Sequence, residues 1–248
     1  MKQNKIEPKF VNKSNPRIGL IALGSDFRIE KDFNNVIYGK DIDLYVNRIH
    51  CYNPLTNETL VKMADDITNV TKDILPDQKI DCVAYGCTSG TVAAGYDTIK
   101  SKINLVKPEA KVTTPITSAV KALKVLGINK ISIFTPYTKT INESVVDYFK
   151  KENIIINSLT YFDIDSDLDI GKVDEDYLFD VLSKIDLRDS DALFVSCTAL
   201  PTLSIIARLE KKLNKIILSS NQTLIWDTLK QINYKEKIEG FGKIFEVN

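Results

Sequence analysis

The sequence predicts an α/β protein built as two pseudo-symmetric lobes, each a parallel sheet flanked by helices, with the active site in the cleft between them. Short apolar runs alternate along the chain with amphipathic stretches, and the order of strand, loop and helix recurs in the second half. Strands that are apolar throughout and separated by helices are typical of parallel sheets covered on both faces. In such sheets, ligands bind beyond the carboxyl ends of the strands.

Apolar runs of strand length, such as "RIGLIAL" and "KISIFT", define the predicted strands. These strands cover residues 17–23, 44–49, 79–85, 110–114, 130–135, 154–162, 191–196 and 215–220. Amphipathic stretches with helical periodicity lie between them. The predicted helices cover residues 56–73, 88–100, 117–126, 139–151, 174–185, 201–213 and 222–232, and a polar helix start also follows the first strand.

The order of elements indicates an internal duplication. The segments that begin at Arg17 and Lys130 share the pattern of strand, loop and polar helix start. The two cysteine segments, "VAYGCTSG" and "ALFVSCTA", are separated by nearly the same interval, as are the segments from Lys111 and Lys215. This interval is far longer than a solenoid repeat, which indicates two similar lobes rather than an array.

The duplication sets the predicted domain boundaries. The first lobe covers residues 17–115, with a C-terminal segment that can cross over to the other lobe, and the second covers 116–232. A polar N-terminal arm over 1–16 and a C-terminal tail over 233–248 complete the chain.

Composition excludes several classes of partner. The 248 residues include 33 basic and 33 acidic side chains, so the formal net charge is zero. A neutral, interspersed charge pattern provides no general attraction for nucleic acid or an anionic membrane. The chain lacks both an apolar run of the ~20 residues that span a bilayer and an N-terminal secretion signal. We therefore predict a cytoplasmic protein that binds neither nucleic acid nor membrane.

Four cysteines and one histidine limit the possible chemistry. The cysteines are too few and scattered for a disulfide scaffold, and they form neither a C-x-x-C pair nor a Cys/His cluster, so no metal site is predicted. Any triad with a histidine would have to include His50. Packing is the default role for Cys51 and Cys82, and a structural or exposed role is the default for His50.

Cys87 and Cys197 stand apart because each follows a strand and precedes a helix. Backbone N–H groups and the helix dipole at such a position lower a thiol pKa. The same N–H groups, with the hydroxyls of Thr88, Thr91 and Thr198, are suited to hold a carboxylate and an enolate formed from it. If the lobes face each other, the two sulfurs reach one ligand from opposite sides, as inversion at carbon requires.

The paired motifs "GCTSG" and "SCTALP" resemble the cysteine motifs of the aspartate/glutamate racemase superfamily, a cofactor-independent group with two pseudo-symmetric α/β lobes. The segments "LGSDFRIEKDF", "FTPYTKTIN" and "SSNQTLIWDTL" look most like its maleate cis–trans isomerase and arylmalonate decarboxylase branch, in particular the ectoine-utilisation protein A relatives. The resemblance covers nearly everything after the N-terminal arm. It implies a small carboxylate or amino-acid substrate, no cofactor and a homodimer.

The resemblance also implies roles for individual residues. Cys87 and Cys197 become the catalytic pair, and Tyr137 matches a tyrosine that hydrogen-bonds substrate in maleate isomerases. The turns expected to bind substrate contain Thr88, Ser89, Thr198 and Ala199. The expected supporting residues are Ser25, Asn221 and, from an acidic connection at 163–177, Asp169. Tyr137 also fits a plain turn after Pro136, and the hydroxyl residues fit plain helix caps.

Asp26 departs from the maleate isomerase pattern, which has an asparagine after the first strand. Glutamate racemases carry an aspartate there, on the side of the substrate amine, although their histidine after the second cysteine is replaced here by Ala199 and Leu200. An ionised carboxylate repels a dianion such as maleate, and more strongly in a shielded cleft. Unless Asp26 only caps the next helix, we expect an amino acid or amino-bearing substrate.

The predicted function is therefore a cofactor-independent isomerase or racemase that acts on a small carboxylate through two cysteines. Racemisation would use them as opposed acid and base, and cis–trans isomerisation would use one, by resemblance Cys87, as a nucleophile. Arylmalonate-type decarboxylation needs one cysteine only, so two cysteines argue against it. A non-catalytic small-acid-binding protein and a thiol-redox protein remain alternatives.

Overall fold

The computed structural model describes residues 1, 3–11 and 15–247. Its strands are β1 (Arg17–Leu23), β2 (Asp43–Ile49), β3 (Cys82–Tyr85), β4 (Lys111–Thr113), β5 (Lys130–Thr135), β6 (Ile155–Tyr161), β7 (Ala192–Val195) and β8 (Ile216–Ser219). Its helices are α1 (Ile29–Ile37), α2 (Asn57–Met63), α3 (Ile67–Lys72), α4 (Thr88–Ala94), α5 (Tyr96–Asn104), α6 (Pro115–Val125), α7 (Lys139–Lys151), α8 (Asp167–Gly171), α9 (Glu175–Leu182), α10 (Ile206–Leu213) and α11 (Ser220–Gln231).

The strands form two four-stranded sheets with the same internal order. The first sheet has the order β2-β1-β3-β4 and the second β6-β5-β7-β8, so each strand of one has a counterpart in the other. Every neighbouring pair is parallel. The central strands β3 and β7 are buried along their whole length, as expected for sheets covered on both faces. The predicted fold of two pseudo-symmetric α/β lobes is confirmed.

Several predicted elements differ from the observed ones. The helix predicted over 88–100 is two helices, because Gly95 has φ +84°, a left-handed conformation that ends α4. The helix predicted over 56–73 is α2 and α3 joined by a 3-10 turn at Ala64–Asp66. Helix α8 was not predicted, because five residues are too few for a hydrophobic periodicity to be recognised.

The helices that follow the last strand of each sheet, α6 and α11, pack against each other. Helix α11 also lies against β3 and β4, so the last helix of the chain contacts the first sheet. Buried Asp227 of α11 accepts a hydrogen bond from Ser118 at 2.9 Å and pairs with Lys121 at 2.7 Å, both of α6. The hydroxyls of Thr113 and Thr228 are 2.8 Å apart at the same junction. These contacts fix the lobes relative to each other.

The two ends of the chain differ. Residues 3–11 are exposed and contain neither helix nor strand, while 2 and 12–14, also within the predicted polar arm, lie outside the described residues. The predicted tail packs on the second lobe: Gln222 donates to the Phe241 carbonyl at 2.7 Å, and Phe245 is buried. In the part of the chain that the structure describes, no helix has the length and apolar character needed to cross a membrane.

Candidate active site

Cys87 lies directly beyond β3 and is the N-cap residue of α4. Its extended backbone (φ −141°, ψ 115°) turns the side chain back toward the helix, and its Sγ accepts a hydrogen bond from the Gly90 N–H at 3.2 Å. A Cβ at Gly90 would lie 2.8 Å from this sulfur and 2.9 Å from the Tyr85 hydroxyl. The second glycine of "GCTSG" is therefore the residue that leaves room for the thiol.

Cys197 lies just beyond β7, the counterpart of β3 in the second lobe. Its φ of +89° is in a region that residues with a side chain rarely adopt. Strain of this kind persists where the surroundings fix it, which is typical of functional sites. Its backbone N–H donates to the Ser220 hydroxyl at 3.0 Å, so the first residue of α11 helps to hold the turn.

Two hydrogen bonds join the segments around the two cysteines. Thr198 donates its hydroxyl to the Gly86 carbonyl at 3.1 Å, and Thr88 donates to the Ser220 hydroxyl at 2.8 Å. Because Ser220 also accepts the Cys197 N–H, the residues next to each cysteine are connected across the lobe junction. Both cysteines are buried here, at 3% and 5% exposed.

Tyr137, in the loop after β5, is buried and lies within hydrogen-bonding reach of the Cys197 thiol. Burial raises the pKa of its phenol well above the usual value, and Cys197 and, less strongly, Cys87 raise it further. The phenol therefore stays protonated and is a hydrogen-bond donor next to the cysteines. Tyr137 therefore lies near Cys197, and its predicted hydrogen bond to substrate stays a prediction.

The predicted low pKa of the thiols is wrong for the closed structure. Burial is the largest influence and raises the pKa of both. Cys51 raises the pKa of Cys87 further, and the Gly90 amide lowers it by a smaller amount than Cys51 raises it. Asp167 raises the pKa of Cys197 further, and the Ala199 amide lowers it by a smaller amount than Asp167 raises it. The helix-start geometry that motivated the prediction is present at Cys87, where the loss of water outweighs it. It is absent at Cys197, because α10 begins only at Ile206 and not at residue 201 as predicted.

The hydroxyl residues after the cysteines have mainly structural partners. The hydroxyl of Thr91 donates to the Cys87 carbonyl at 2.7 Å, within its own turn. Thr88 and Thr198 make the junction bonds described above. Ser89 is buried with its Oγ 3.9 Å from the Cys87 sulfur. The role of these hydroxyls in carboxylate binding stays a prediction.

Asp26 binds the backbone at the start of α1 through one carboxyl oxygen, although Arg28 and not Asp26 is the N-cap residue of this helix. Its Oδ1 accepts the N–H groups of Arg28 at 2.7 Å and Ile29 at 2.9 Å. Its Oδ2 is buried without a hydrogen-bond partner among the described residues. The Thr198 hydroxyl lies close enough to lower the pKa of Asp26 by hydrogen bonding, although it donates to the Gly86 carbonyl at 3.1 Å. Burial raises the pKa of Asp26, and the hydrogen bonds from Ile29 and Arg28 counter part of this shift.

Asn221, near the start of α11, supports the junction from behind. Its side-chain amide donates to the Thr198 carbonyl at 2.8 Å and to Asp32 Oδ2 at 2.7 Å. Burial raises the pKa of Asp32 to about 7, although the Asn221 hydrogen bond lowers it in part. Asn221 thus connects the turn after Cys197 to a buried carboxyl of the first lobe.

The prediction that Asp169 reaches the cleft is wrong. Its side chain is 58% exposed and pairs with Lys172 at 2.7 Å. The buried acid of this segment is Asp167, which accepts a hydrogen bond from the Ser25 hydroxyl. Burial raises the pKa of Asp167 to about 6, with a further rise from Asp26. Ser25 therefore contacts an acid that the sequence did not distinguish from its neighbour, and its supporting role in the site stays a prediction.

The segment that contains α8 closes over the junction from the second lobe to the first. The Leu55 N–H donates to the Asp165 carbonyl at 2.8 Å, and the Asp167 N–H donates to Asn53 Oδ1 at 3.2 Å. A Cβ at Gly171 would lie 2.6 Å from the Phe27 ring, so this glycine permits close packing. This segment therefore bonds the second lobe to the loop between β2 and α2 of the first lobe.

Cys51 is buried in the core, as predicted for a packing residue, but sequence reasoning did not predict that it lies close enough to Cys87 to raise the pKa of that thiol. The pKa of its thiol is raised to about 11, mainly by burial and less by Asp167, while the Ser25 hydrogen bond counters part of this shift. Its position at the end of β2, on the same sheet edge as Cys87, was the available signal. Cys82, in contrast, faces Thr113 inside the sheet, as predicted for a packing residue.

Comparisons with known proteins agree with the fold and with the predicted superfamily. The family model described as arylmalonate decarboxylase matches residues 52–245. A maleate isomerase from Geobacillus stearothermophilus is 22% identical over 243 residues, covering 92% of this chain and 96% of the relative. The arylmalonate decarboxylase of Bordetella bronchiseptica is 26% identical over 137 residues, covering 54% and 57%.

A solved structure has the same fold. It is a cysteine-to-serine mutant of the Nocardia farcinica maleate cis–trans isomerase with a covalently bound succinylcysteine intermediate. It is 18% identical, covers 95% of this chain and all of its own, and has a TM-score of 0.87. The narrower resemblance to ectoine-utilisation relatives stays a prediction. Because the family model spans well over half of the sequence, the chain belongs to the arylmalonate decarboxylase family.

Proposed function

We propose that this chain is a cofactor-independent isomerase that acts on a small carboxylate through Cys87 and Cys197. The observation that carries the proposal is the pair of hydrogen bonds that joins the residue before Cys87 to Thr198 and the residue after it to Ser220. Equivalent strand ends of two similar lobes therefore present two thiols at one junction. The maleate isomerases among its relatives support an isomerisation in particular.

Two thiols at one site support two balanced reactions. In racemisation, one thiolate takes the α-proton, the C–H electron pair enters the carboxylate as an enediolate, and the other thiol protonates the opposite face. In cis–trans isomerisation, the Cys87 thiolate forms a C–S bond to an olefinic carbon and the Cys197 thiol protonates its neighbour. After rotation about the carbon–carbon bond that was the double bond, the Cys197 thiolate takes a proton back from the neighbouring carbon. The double bond then re-forms and the C–S bond breaks, which returns the Cys87 thiolate. Decarboxylation needs one proton donor only, so retention of both thiols favours isomerisation.

Residues around the thiols have defined tasks in this proposal. The protonated Tyr137 hydroxyl donates to the substrate carboxylate, and the backbone amides of the Cys197 turn, including Ala199, hold the developing enediolate. Because burial keeps both thiols neutral in the closed structure, one must lose its proton to water while the α8 segment is open, or become a thiolate through a favourable ligand charge.

The test is solvent exchange in deuterated water, followed by NMR, with a panel of amino acids, maleate and arylmalonates. Wild type should incorporate deuterium at carbon or convert maleate to fumarate. Cys87→Ser and Cys197→Ser should each lose about 100-fold or more of that rate, as expected for loss of an acid–base group. Cys82→Ser is the matched control, because that thiol faces Thr113 inside the sheet, and it should retain activity.

Other outcomes contradict the proposal in identifiable ways. Carbon dioxide release from arylmalonates without isomerisation would indicate a decarboxylase. Ligand binding without turnover of any compound would indicate a binding protein. Retained turnover in either single serine variant would contradict the two-thiol mechanism directly.

A further inference from the structure

The last helix and the C-terminal tail together form a cavity that is separate from the candidate active site. Its volume is about 380 Å³, which is in the range of small-molecule sites. Its apolar walls come from Trp226 and Leu229 of α11 and from Ile238 and Phe245 of the tail, and all four side chains are buried. Neither of the two proposed catalytic cysteines is among the described residues that line it.

Backbone and side-chain bonds hold the tail in place around this cavity. The Ile238 N–H donates to the Phe245 carbonyl at 3.2 Å, which closes the tail into a loop. Gln222 of α11 donates to the Phe241 carbonyl at 2.7 Å and so fastens that loop to the helix. The cavity is therefore pre-formed, and a ligand does not have to order its walls on binding.

Trp226 brings an unpaired hydrogen-bond donor to the cavity. Its side chain is 4% exposed, and its Nε1–H is buried without an acceptor among the described residues. A buried indole N–H usually has an acceptor, and a buried donor without one is destabilising. The neighbouring Lys230 ammonium cannot serve, because it has donors only. The cavity is therefore suited to a ligand that brings an acceptor.

The charged side chains at the cavity favour an anion. The Lys230 ammonium lies 4.9 Å from the centroid of the Trp226 ring, and Lys235 also lines the cavity. Glu236 is the single acid among the described lining residues, and it accepts a hydrogen bond from the Tyr234 hydroxyl at 3.0 Å. Burial and Glu236 raise the pKa of Tyr234 to about 12, so this hydroxyl keeps its proton. Two lysines and one engaged carboxylate leave a net positive charge.

Other classes of ligand suit the cavity less well. A cation would be repelled by the two ammonium groups and would leave the indole N–H without an acceptor. A phosphate or sulfate ion would exchange its hydration for walls that are mainly apolar. A neutral hydrocarbon would fill the space but leave the Trp226 donor unpaired. A carboxylate attached to an apolar body supplies the acceptor, the negative charge and the hydrocarbon surface together.

We propose that this cavity binds a small apolar carboxylic acid as its carboxylate. The hydrocarbon part lies against Leu229, Ile238 and Phe245, and the carboxylate accepts the Trp226 Nε1–H beside the Lys230 ammonium. Burial of apolar surface and a charge-assisted hydrogen bond both favour this complex. The site does not depend on the proposed reaction at the cysteines.

Fluorescence provides a direct test, because Trp226 is the single tryptophan of the chain. The probes are cyclohexanecarboxylate and its uncharged counterpart cyclohexanemethanol, each titrated into the full-length protein. We expect a saturable change in tryptophan emission with the acid. The alcohol should bind about tenfold or more weakly, as expected for loss of a charge-assisted hydrogen bond.

Two variants localise the binding. Lys230→Gln removes the charge beside the indole and should weaken binding of the acid about fivefold or more, with a smaller effect on the alcohol. Lys212→Gln is the matched control, because its ammonium lies 5.0 Å from the Phe179 ring, outside the cavity, and it should bind the acid as wild type does. Trp226→Phe keeps an aromatic ring without the donor, and calorimetry should show about tenfold weaker binding of the acid.

The contrary outcomes are specific. Lack of a saturable response of wild type to millimolar acid, equal affinity for acid and alcohol, or unchanged affinity in Lys230→Gln would each overturn the assignment. A wild-type dimer in sedimentation that Lys230→Gln dissociates, with no acid bound, would assign the cavity to a second copy of the chain and would also overturn it. Because none of these measurements uses turnover, this inference and the proposed function fail independently.

Discussion

Thr198 donates its hydroxyl to the carbonyl of Gly86 at 3.1 Å, and this bond ties the residue after one cysteine to the residue before the other. The bond crosses between lobes that have the same strand order. Together with the Thr88–Ser220 bond, it makes the junction of the two sheets the place where both thiols lie. The duplicated fold thus produces two similar turns and brings them to one site.

Replacing Ser220 by alanine tests this junction. Its hydroxyl accepts the buried Cys197 N–H and the Thr88 hydroxyl, so Ser220→Ala leaves both donors without a partner. We expect the free energy of unfolding to fall by about 1–3 kcal/mol, measured by urea denaturation. Ser144→Ala, on the exposed face of α7, should change it by less than about 0.5 kcal/mol. Equal stability of the two variants would contradict the assigned role of Ser220.

Gly90→Ala tests the space around the Cys87 sulfur. A Cβ there would lie 2.8 Å from Sγ, closer than side chains tolerate, so the thiol must move. Since α4 is otherwise compatible with alanine, we expect normal far-ultraviolet circular dichroism but a loss of about 100-fold in turnover, as expected when a reacting group is displaced. Wild-type turnover in a folded variant would show that the sulfur position is not critical.

The closed α8 segment predicts slow reaction of the buried cysteines with thiol reagents. Removing the Asn53 side chain deletes its bond to the Asp167 N–H and should favour the open state. Asn53→Ala should therefore increase the alkylation rate of Cys87 and Cys197 about fivefold or more, corresponding to a bond worth about 1 kcal/mol. Mass spectrometry of the labelled peptides gives the rates. Asn34→Ala, whose amide bonds only the Glu30 carbonyl on α1, should leave them unchanged.

The raised pKa of Asp32, about 7 against an ordinary value of 3.8, predicts a pH dependence of stability. Between these values the folded state holds a proton that the unfolded state releases. The contribution of Asp32 to the free energy of unfolding is therefore present at low pH and is lost as the pH rises through 7. In wild type, the free energy of unfolding should decline by up to about 1.4 kcal/mol per pH unit over this interval. Asp32→Asn should remove this decline. Urea denaturation from pH 4 to 8 measures the slope. Parallel curves for the two proteins would contradict the shift.

The fold was predictable because apolar strands and amphipathic helices alternate clearly and recur after the midpoint. The placement of Cys87 and Cys197 at strand ends was predictable for the same reason, since "GCTSG" and "SCTAL" each follow a buried strand. The raised pKa of the two thiols was not predictable from the sequence. A sequence can predict that a cysteine follows a strand, but the amount of water excluded from its thiol depends on distant segments of the chain that pack around it.

The choice between Asp167 and Asp169 shows the same limit. Both lie in one acidic stretch, and the two side chains differ only in which face of a five-residue helix they occupy. Asn53 and Ser25, more than a hundred positions away in sequence, hold Asp167 inward. No local pattern contains that information.

Crosslinking is the most direct measurement of whether the two sulfurs face one ligand. A short bifunctional alkylating reagent should be applied to the protein with Cys51→Ser and Cys82→Ser, so that only the proposed pair can react. We predict one peptide in which Cys87 and Cys197 are joined, detected by mass spectrometry, and its suppression by a saturating substrate. Independent modification of both thiols with no joined peptide would contradict the shared site.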